Sequence, residues 1–303
     1  MKHATRRTVG AALTSLTGLA ALLIVTMLAL ILLDVLRGGA GHVTWEFLSQ
    51  PPSDGMMRGG IFPALYGTAA LTLLMTLAVM PVGVLTAVYL HEYASPDSRL
   101  ARWVRVAIVN LAGVPSIVFG LFGLGFFIHF VGGGMDRMMG YQTMHWAQPS
   151  ILWASLTLAV LTLPVVIVST EEALRAVPMD HRTASLALGA TQSQTLMRVV
   201  LPGALPGILT GAVLAVSRGA GEVAPILFTG AAYFLPDLPT SLSSQFMHLG
   251  YHTYVLATQS PDIEATRPLL YATVLVLLML TFALNLVAVV IRTRTRRRAA
   301  NAH

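Results

Sequence analysis

Residues 171–206 read EEALRAVPMDHRTASLALGATQSQTLMRVVLPGALP, from Glu171 to Pro206. This polar stretch lies between two apolar runs, Pro149–Val168 before it and Gly207–Ala232 after it. Each run reaches the roughly 20 residues a helix needs to cross a bilayer. The chain is therefore expected to leave the membrane at Glu171 and re-enter near Pro206. Four further runs of similar character are Val9–Leu36, Ile61–Leu90, Val106–Val131 and Pro268–Ile291. The expected fold is an all-α integral membrane protein with six transmembrane helices. One membrane domain covers residues 1–303, with the loop at 171–206 as part of it. A hydrophobic fraction of 55% against 11% charged residues agrees with that class. The first run exceeds the ~7–15 residue core of a cleaved signal peptide, so it reads as an anchor that stays in place.

Within the loop, Leu186, Gly189 and Ala190 share one helical face, and Leu196, Val199 and Val200 share another. Gly189 permits a sharp turn between them, and Pro202 and Pro206 suit the entry to the next helix. The basic residues are unevenly distributed. Lys2, Arg6, Arg7, Arg99, Arg102, Arg105, Arg175, Arg182, Arg198 and the tail Arg292–Arg298 fall on one side of the expected membrane. Arg37, Arg58, Arg137 and Arg267 fall on the other. Basic loops stay inside, which puts both termini and the 171–206 loop in the cytoplasm. The basic tail reads as a topology anchor near anionic lipid, with no nucleic-acid role. The chain has no cysteine, so thiolate chemistry and disulfides are excluded. Its one lysine, Lys2, has no glycine before it, so the phosphate-cradling loop of an ATPase is absent. No catalytic residue and no cofactor are expected.

The external connections are Arg37–Gly60, with a turn at Pro51–Gly55, then Met135–Trp146, then Tyr233–Arg267. The last holds His248 and His252 at helical spacing, but zinc needs a third ligand and no metal site is expected. Gly113, Ser116, Gly120 and Gly123 suit close helix approach in the third span. The fifth run contains Arg218 and Glu222, four residues apart and thus on one helix face. A charge at the bilayer centre costs about 2.5–3.5 kcal/mol even on the lenient scale, so these two must pair or face water. Either they pack the bundle as an ion pair, or they line a path for an oxyanion, which the planar donor fork of arginine suits. Glu171 and Glu172 sit at the cytoplasmic mouth of the fourth span. They belong either to that path or to a solvated helix end.

Several motifs in order resemble one family. They are Arg58–Thr68 (RGGIFPALYGT), Met80–Gly83 with Tyr89–Tyr93 (YLHEY), Val114–Leu121 (VPSIVFGL) and Arg218–Gly230 (RGAGEVAPILFTG). Together they resemble the A-type permease subunits of phosphate-specific transport systems, and the 171–206 loop resembles the EAA loop by which ABC importer permeases dock their ATPase. The resemblance implies the MetI-like permease architecture in a bacterial cytoplasmic (inner) membrane. It implies four kinds of neighbour: a C-type permease subunit, two ATP-binding subunits, an extracytoplasmic phosphate-binding protein and the lipid bilayer. It places Ala184, Gly189, Leu196, Val199 and Pro202 at the ATPase contact, and Arg218, Glu222 and Glu171 on the translocation path. The sequence departs from the family at Thr183, where a glutamate is usual, and at Val223, where threonine is usual. No arginine occurs in Val165–Glu171, where members often carry one. Rival readings are a permease for sulfate or molybdate, the C-type partner itself, and a proton-coupled secondary transporter with Arg218 and Glu222 as relay. Inverted repeats with paired broken helices, the usual mark of the last class, are not evident.

Overall fold

The computed structural model describes residues 2–54, 58–95 and 97–300. Gly55 of the expected turn lies outside the described residues, as do the side chains of Lys2, Arg6, Arg7, Arg296, Arg297 and Arg298. Among the described residues, six helices are long and apolar enough to cross a membrane.

The helix α1 spans Lys2–Gly39 and α2 spans Trp45–Ser49, the latter capped by Thr44, which accepts from the Phe47 amide at 3.1 Å. A short antiparallel pair, β1 (Pro52–Ser53) and β2 (Arg58–Gly59), leads into α3 (Phe62–Val88). Pro63 falls in the first turn of α3, where a missing N–H costs nothing. The helix runs on through Pro81 and ends in a π-helical turn, Tyr89–Tyr93. Next come α4 (Arg99–Ala112) and the third span, in which α5 (Ser116–Phe122), a π-helical segment Gly123–Gly132 and α6 (Gly133–Met139) are continuous. The fourth span is α7 (Ile151–Arg175), followed by the short α8 (Met179–Ala187). Helix α9 (Gln192–Thr195), a π-helical turn Leu196–Val200 and α10 (Leu201–Gly221) form the fifth span. After α11 (Ile226–Thr229) and α12 (Leu249–Thr258), the long α13 (Ile263–Ala300) completes the described chain.

All six expected spans are present, with corrected boundaries. The third begins at Ser116, not at Val106. Residues 106–112 belong instead to α4, because Gly113 caps that helix and Pro115 disfavours helical geometry at Val114. The connection that carries Arg99, Arg102 and Arg105 is thus an amphipathic helix. It lays Ala101, Val104 and Ile108 on Ala87, Leu90 and Ile167. The fifth span covers Gln192–Gly221 rather than 207–232. The polar loop contracts accordingly. Glu171 to Arg175 continue α7, and everything from Gln192 onward already belongs to the fifth span. The external loops are also partly helical, since α6 takes up Met135–Met139 and α12 lies inside Tyr233–Arg267.

Helix α7 is the centre of the bundle. Helices α3 and α10 flank it, and Leu71, Met75 and Val79 meet Ala154, Leu158, Val166, Ala215 and Ile226 in the main core. The approach of α3 depends on Gly83, since a Cβ there would stand 2.9 Å from the Val166 Cβ. Of the small residues expected to allow close packing, Gly120 faces Pro225 and Phe228, and Gly123 faces Thr157 and Thr229. Helix α1 packs chiefly along α13, with Gly38 and Gly39 against Tyr271.

Candidate functional site

Helix α10 stops at Gly221. Glu222 takes an extended conformation (φ −80°, ψ 128°), Pro225 disfavours helical geometry at Ala224, and helix resumes only at Ile226, with Pro225 as its N-cap. Arg218 therefore occupies the last turn of α10 and Glu222 its C-cap, so the pair lies at a helix end and not along one continuous face. Arg218 Nε stands 3.6 Å from Glu222 Oε1, and the two side chains are 40% and 22% exposed. A cation in the last turn also suits the carbonyl end of the helix dipole.

The depth of this end follows from α13. Ser217 Oγ meets Asn285 Oδ1 at 2.5 Å, and Arg292 donates to Thr210 at 3.3 Å, so α10 and α13 run antiparallel in fixed register. At about 1.5 Å per residue, Arg218 to Glu222 come level with roughly Leu280 to Leu284, near the middle of the apolar run that ends at Ile291. The helix breaks in the middle of the bundle, and residues 222–248 fill the space between that break and α12.

The second expected site is the loop. Helix α8 packs back on α9 through Ser185 and Thr195, whose hydroxyls are 2.9 Å apart. Gly189 takes φ +86°, the left-handed region that glycine enters at little cost, and turns the chain between them. Thr191 and Gln194 close a capping box at the start of α9. Ala184, Gly189 and Pro202 are exposed and Val199 is half-buried. Leu196 and Val200 are buried against Val88, Leu174 and Val177 inside this chain. The large apolar side chains left exposed here are Met179, Leu186, Leu188 and Met197. The second apolar face read from spacing is thus the seat of the loop and not its outward surface.

Glu171 is not brought to Arg218. It pairs with Arg105 of α4, whose Nη1 lies 2.9 Å from Oε1 and hydrogen-bonds Oε2 at 3.2 Å, while Nη2 donates to the Leu90 carbonyl at 2.9 Å. His248 and His252 are buried at α12, and burial lowers both imidazoles to about 4, which keeps them neutral. Among the described residues no group of three metal-ligating side chains forms.

Sequence reasoning missed three polar arrangements. Asn285, an amide alone in the apolar run of α13, is the one with a signal in the sequence, and it meets Ser217. Asp136 accepts from the amides of His145, Trp146 and Ala147 at 2.8–3.1 Å and organises the turn after α6. The pair of Glu92 and Arg182, 90 residues apart, had no signal in one sequence.

The broken helix, the bundle around α7 and the protruding α8 are the parts of a membrane permease. The chain belongs to the family described as binding-protein-dependent transport system inner membrane component, which matches residues 79–299. Among its relatives is a probable ABC transporter permease protein, YqgI, of Bacillus subtilis. That protein is 32% identical over 265 residues, covering 83% of this chain and 85% of that one. The phosphate transport system permease protein PstA of Xylella fastidiosa is 31% identical over 236 residues, 75% of this chain and 76% of that one. PstA 1 of Mycobacterium tuberculosis is 40% identical over 169 residues, covering 56% of this chain and 50% of its own length. Among solved structures, the bacterial alginate ABC transporter bound to its periplasmic protein matches with a TM-score of 0.60 at 15% identity, covering 92% and 94% of the two chains. The inward-facing MetNI methionine ABC transporter matches at 0.58 and 18% identity, covering 77% and 94%. The resemblance and the MetI-like permease fold read from the motifs are both borne out.

Proposed function

We propose that the chain is the transmembrane permease subunit of an ATP-driven phosphate importer. It forms half of the translocation path, and a related C-type permease forms the other half. The observation that carries this reading is Arg218, partly exposed at the broken end of α10 in the middle of the bundle and balanced by one carboxylate. A hydrated dianion meets its highest barrier in such a low-dielectric zone, and a fixed guanidinium lowers that barrier. Glu222 shares the arginine's charge and keeps the site from trapping what it accepts, as conduction requires. The names of the PstA relatives support phosphate as the oxyanion. Glu171 belongs to the mouth of the path at the α8 end and is held there by Arg105.

The same reading assigns the exposed α8–Gly189–α9 turn to two ATP-binding subunits shared with the partner permease. Ala184, Gly189 and Pro202 contact them, while Leu196 and Val199 support the turn from beneath. ATP hydrolysis belongs to those subunits. The arginine bias puts both termini and α8 in the cytoplasm. An extracytoplasmic phosphate-binding protein then delivers to the opposite end, and the chain acts as one membrane domain.

The test is uptake in cells, normalised to assembled complex, with phosphate, sulfate and molybdate as separate substrates. Arg218→Ala lowers phosphate uptake at least about tenfold, the size expected for losing a charge-assisted hydrogen bond. Arg218→Lys recovers part of it, and Glu222→Gln also impairs uptake. Normal phosphate uptake by Arg218→Ala would make the pair a packing device, and uptake of sulfate or molybdate instead would reassign the anion.

A further inference from the structure

Helix α8 has no buried residue, yet it must stay attached to the bundle. Its firmest tie is Arg182. The guanidinium Nη1 donates to Glu92 Oε1 at 2.7 Å and Oε2 at 2.8 Å, and Nη2 donates to the Leu174 carbonyl at 2.8 Å. Glu92 lies in the π-helical turn that ends α3, and Leu174 lies in the last turn of α7. The Glu92 backbone carbonyl in turn accepts from Gln192 Nε2, at the start of α9, at 3.1 Å. One arginine and one glutamate thus gather the ends of α3 and α7 and both arms of the α8–α9 turn.

Both side chains are sheltered, 13% exposed for Arg182 and 11% for Glu92. A buried ion pair is a poor source of stability, because desolvation offsets most of the attraction, and apolar side chains of similar size do as well or better. What it gives instead is direction. One arm of the planar guanidinium spans both carboxylate oxygens and the other arm holds a carbonyl, so the group resists sliding, rotation and separation at once. An apolar contact of the same area would resist only separation.

We infer that the Glu92–Arg182 pair is the mechanical link that carries displacement of α8 into α3 and α7, making both positioning residues for the coupling of ATP hydrolysis to transport. The inference rests on the reading of α8 as the docking element. Helix α8, pushed or pulled by a partner, has no apolar footing of its own. With the link in place, its movement becomes movement of the two helices that build the main core with α10. With the link broken, α8 shifts over the surface and the core stays where it is.

The experiment uses the complete importer in proteoliposomes, with ATP hydrolysis and uptake of inorganic phosphate measured on the same vesicles. The co-purifying ATP-binding subunit is quantified in each preparation. In Arg182→Gln and Glu92→Gln, hydrolysis continues while phosphate moved per ATP falls at least about fivefold, since each variant leaves one sheltered charge without its partner. The exchanged pair, Glu92→Arg with Arg182→Glu, recovers part of the coupling, because attraction returns while the bond to the Leu174 carbonyl does not. If Arg182→Gln does not insert, Arg182→Lys is read in the same way, since it keeps the charge and loses the fork. Wild-type stoichiometry of transport in the single variants overturns the link. So does loss of the ATP-binding subunit from them, which would make the pair part of docking alone. A photoreactive group on Leu188→Cys separates this inference from the one beneath it. No crosslink to the ATP-binding subunit sinks the docking reading, whereas intact crosslinks with unchanged coupling in the variants sink only the link.

Discussion

Helices α7 and α13 are both apolar enough to cross a membrane, yet their surroundings are opposite. The apolar stretch of α7 is 67% buried within the chain, whereas those of α13 and α1 are each 6% buried. The most apolar helices are the least buried, the reverse of a soluble protein. In lipid no hydrophobic force drives helices together, so close packing falls to small residues and satisfied hydroxyls. Helix α7 supplies them in Ala154, Ser155, Thr157, Ala159 and Thr162, all buried. Thr157 and Thr162 return their hydroxyl protons to the Trp153 and Leu158 carbonyls at 2.7 and 2.8 Å, so neither arrives in the core unsatisfied. Helix α13 presents Met279, Phe282, Leu286 and Val287 outward instead. Apolarity selects the spans, and side-chain size sorts centre from edge.

That contrast can be broken by experiment. The largest effect is expected at the centre. Leu158→Ala leaves a cavity that α3 and α7 cannot close, and costs about 2–5 kcal/mol in reversible unfolding of the detergent-solubilised protein. A cost like that of a surface site would mean that α7 is not the packed centre. Gly83→Val drives a branched side chain into Val166 and costs about 1–3 kcal/mol by overpacking. Unchanged thermal stability there would mean that α3 and α7 stand further apart.

A smaller effect is expected at α12, where His248 and His252 are buried as neutral rings. Their folded pKa values of about 4 lie below the unfolded 6.5. The unfolded chain therefore binds protons first as pH falls. Stability is full above pH ~6.5 and declines towards pH ~4, by about 1 kcal/mol per histidine between pH 7 and 5.5. Melting curves across that range check it, and a flat profile in the wild type that matches His248→Gln would show the rings to be hydrated. The smallest effect belongs to the edge. Leu22→Ala in α1, at a position 63% exposed, changes stability by less than about 0.5 kcal/mol. A cost near that of Leu158→Ala would show α1 to be covered in the isolated chain.

Much of this was readable in the sequence, and the failures share a cause. The six spans were legible because length and apolarity alone define them. The turn at Gly189 and the pairing of Arg218 with Glu222 were legible because both are local. Span boundaries went wrong where backbone chemistry outvoted apolarity. Val106 to Ala112 are apolar enough for a membrane, but Gly113 and Pro115 cut them off as α4. The end of the fifth helix was misplaced because an extended Glu222 breaks a run that remains apolar on both sides. Leu196 and Val200 were correctly read as an apolar face, but whether a face meets its own chain or a partner is a tertiary fact. Arg182 lay inside the quoted loop and Glu92 inside the YLHEY motif, and nothing in either announced that they meet.

The seam between α1 and α13 sets a timetable for biogenesis. Tyr271 donates to Asp34 at 2.9 Å across 237 residues of sequence, and Gly38 and Gly39 lie against the same tyrosine. At about 5–20 residues per second, some 12–50 s of synthesis separate the two halves of that seam. Helix α1 thus meets its chief neighbour only after the four described spans between them have been made. For that interval it drifts in lipid with the Asp34 carboxylate near one end, while the bundle around α7 assembles without it. Closure of the seam by α13 is then the step that joins α1 to the bundle.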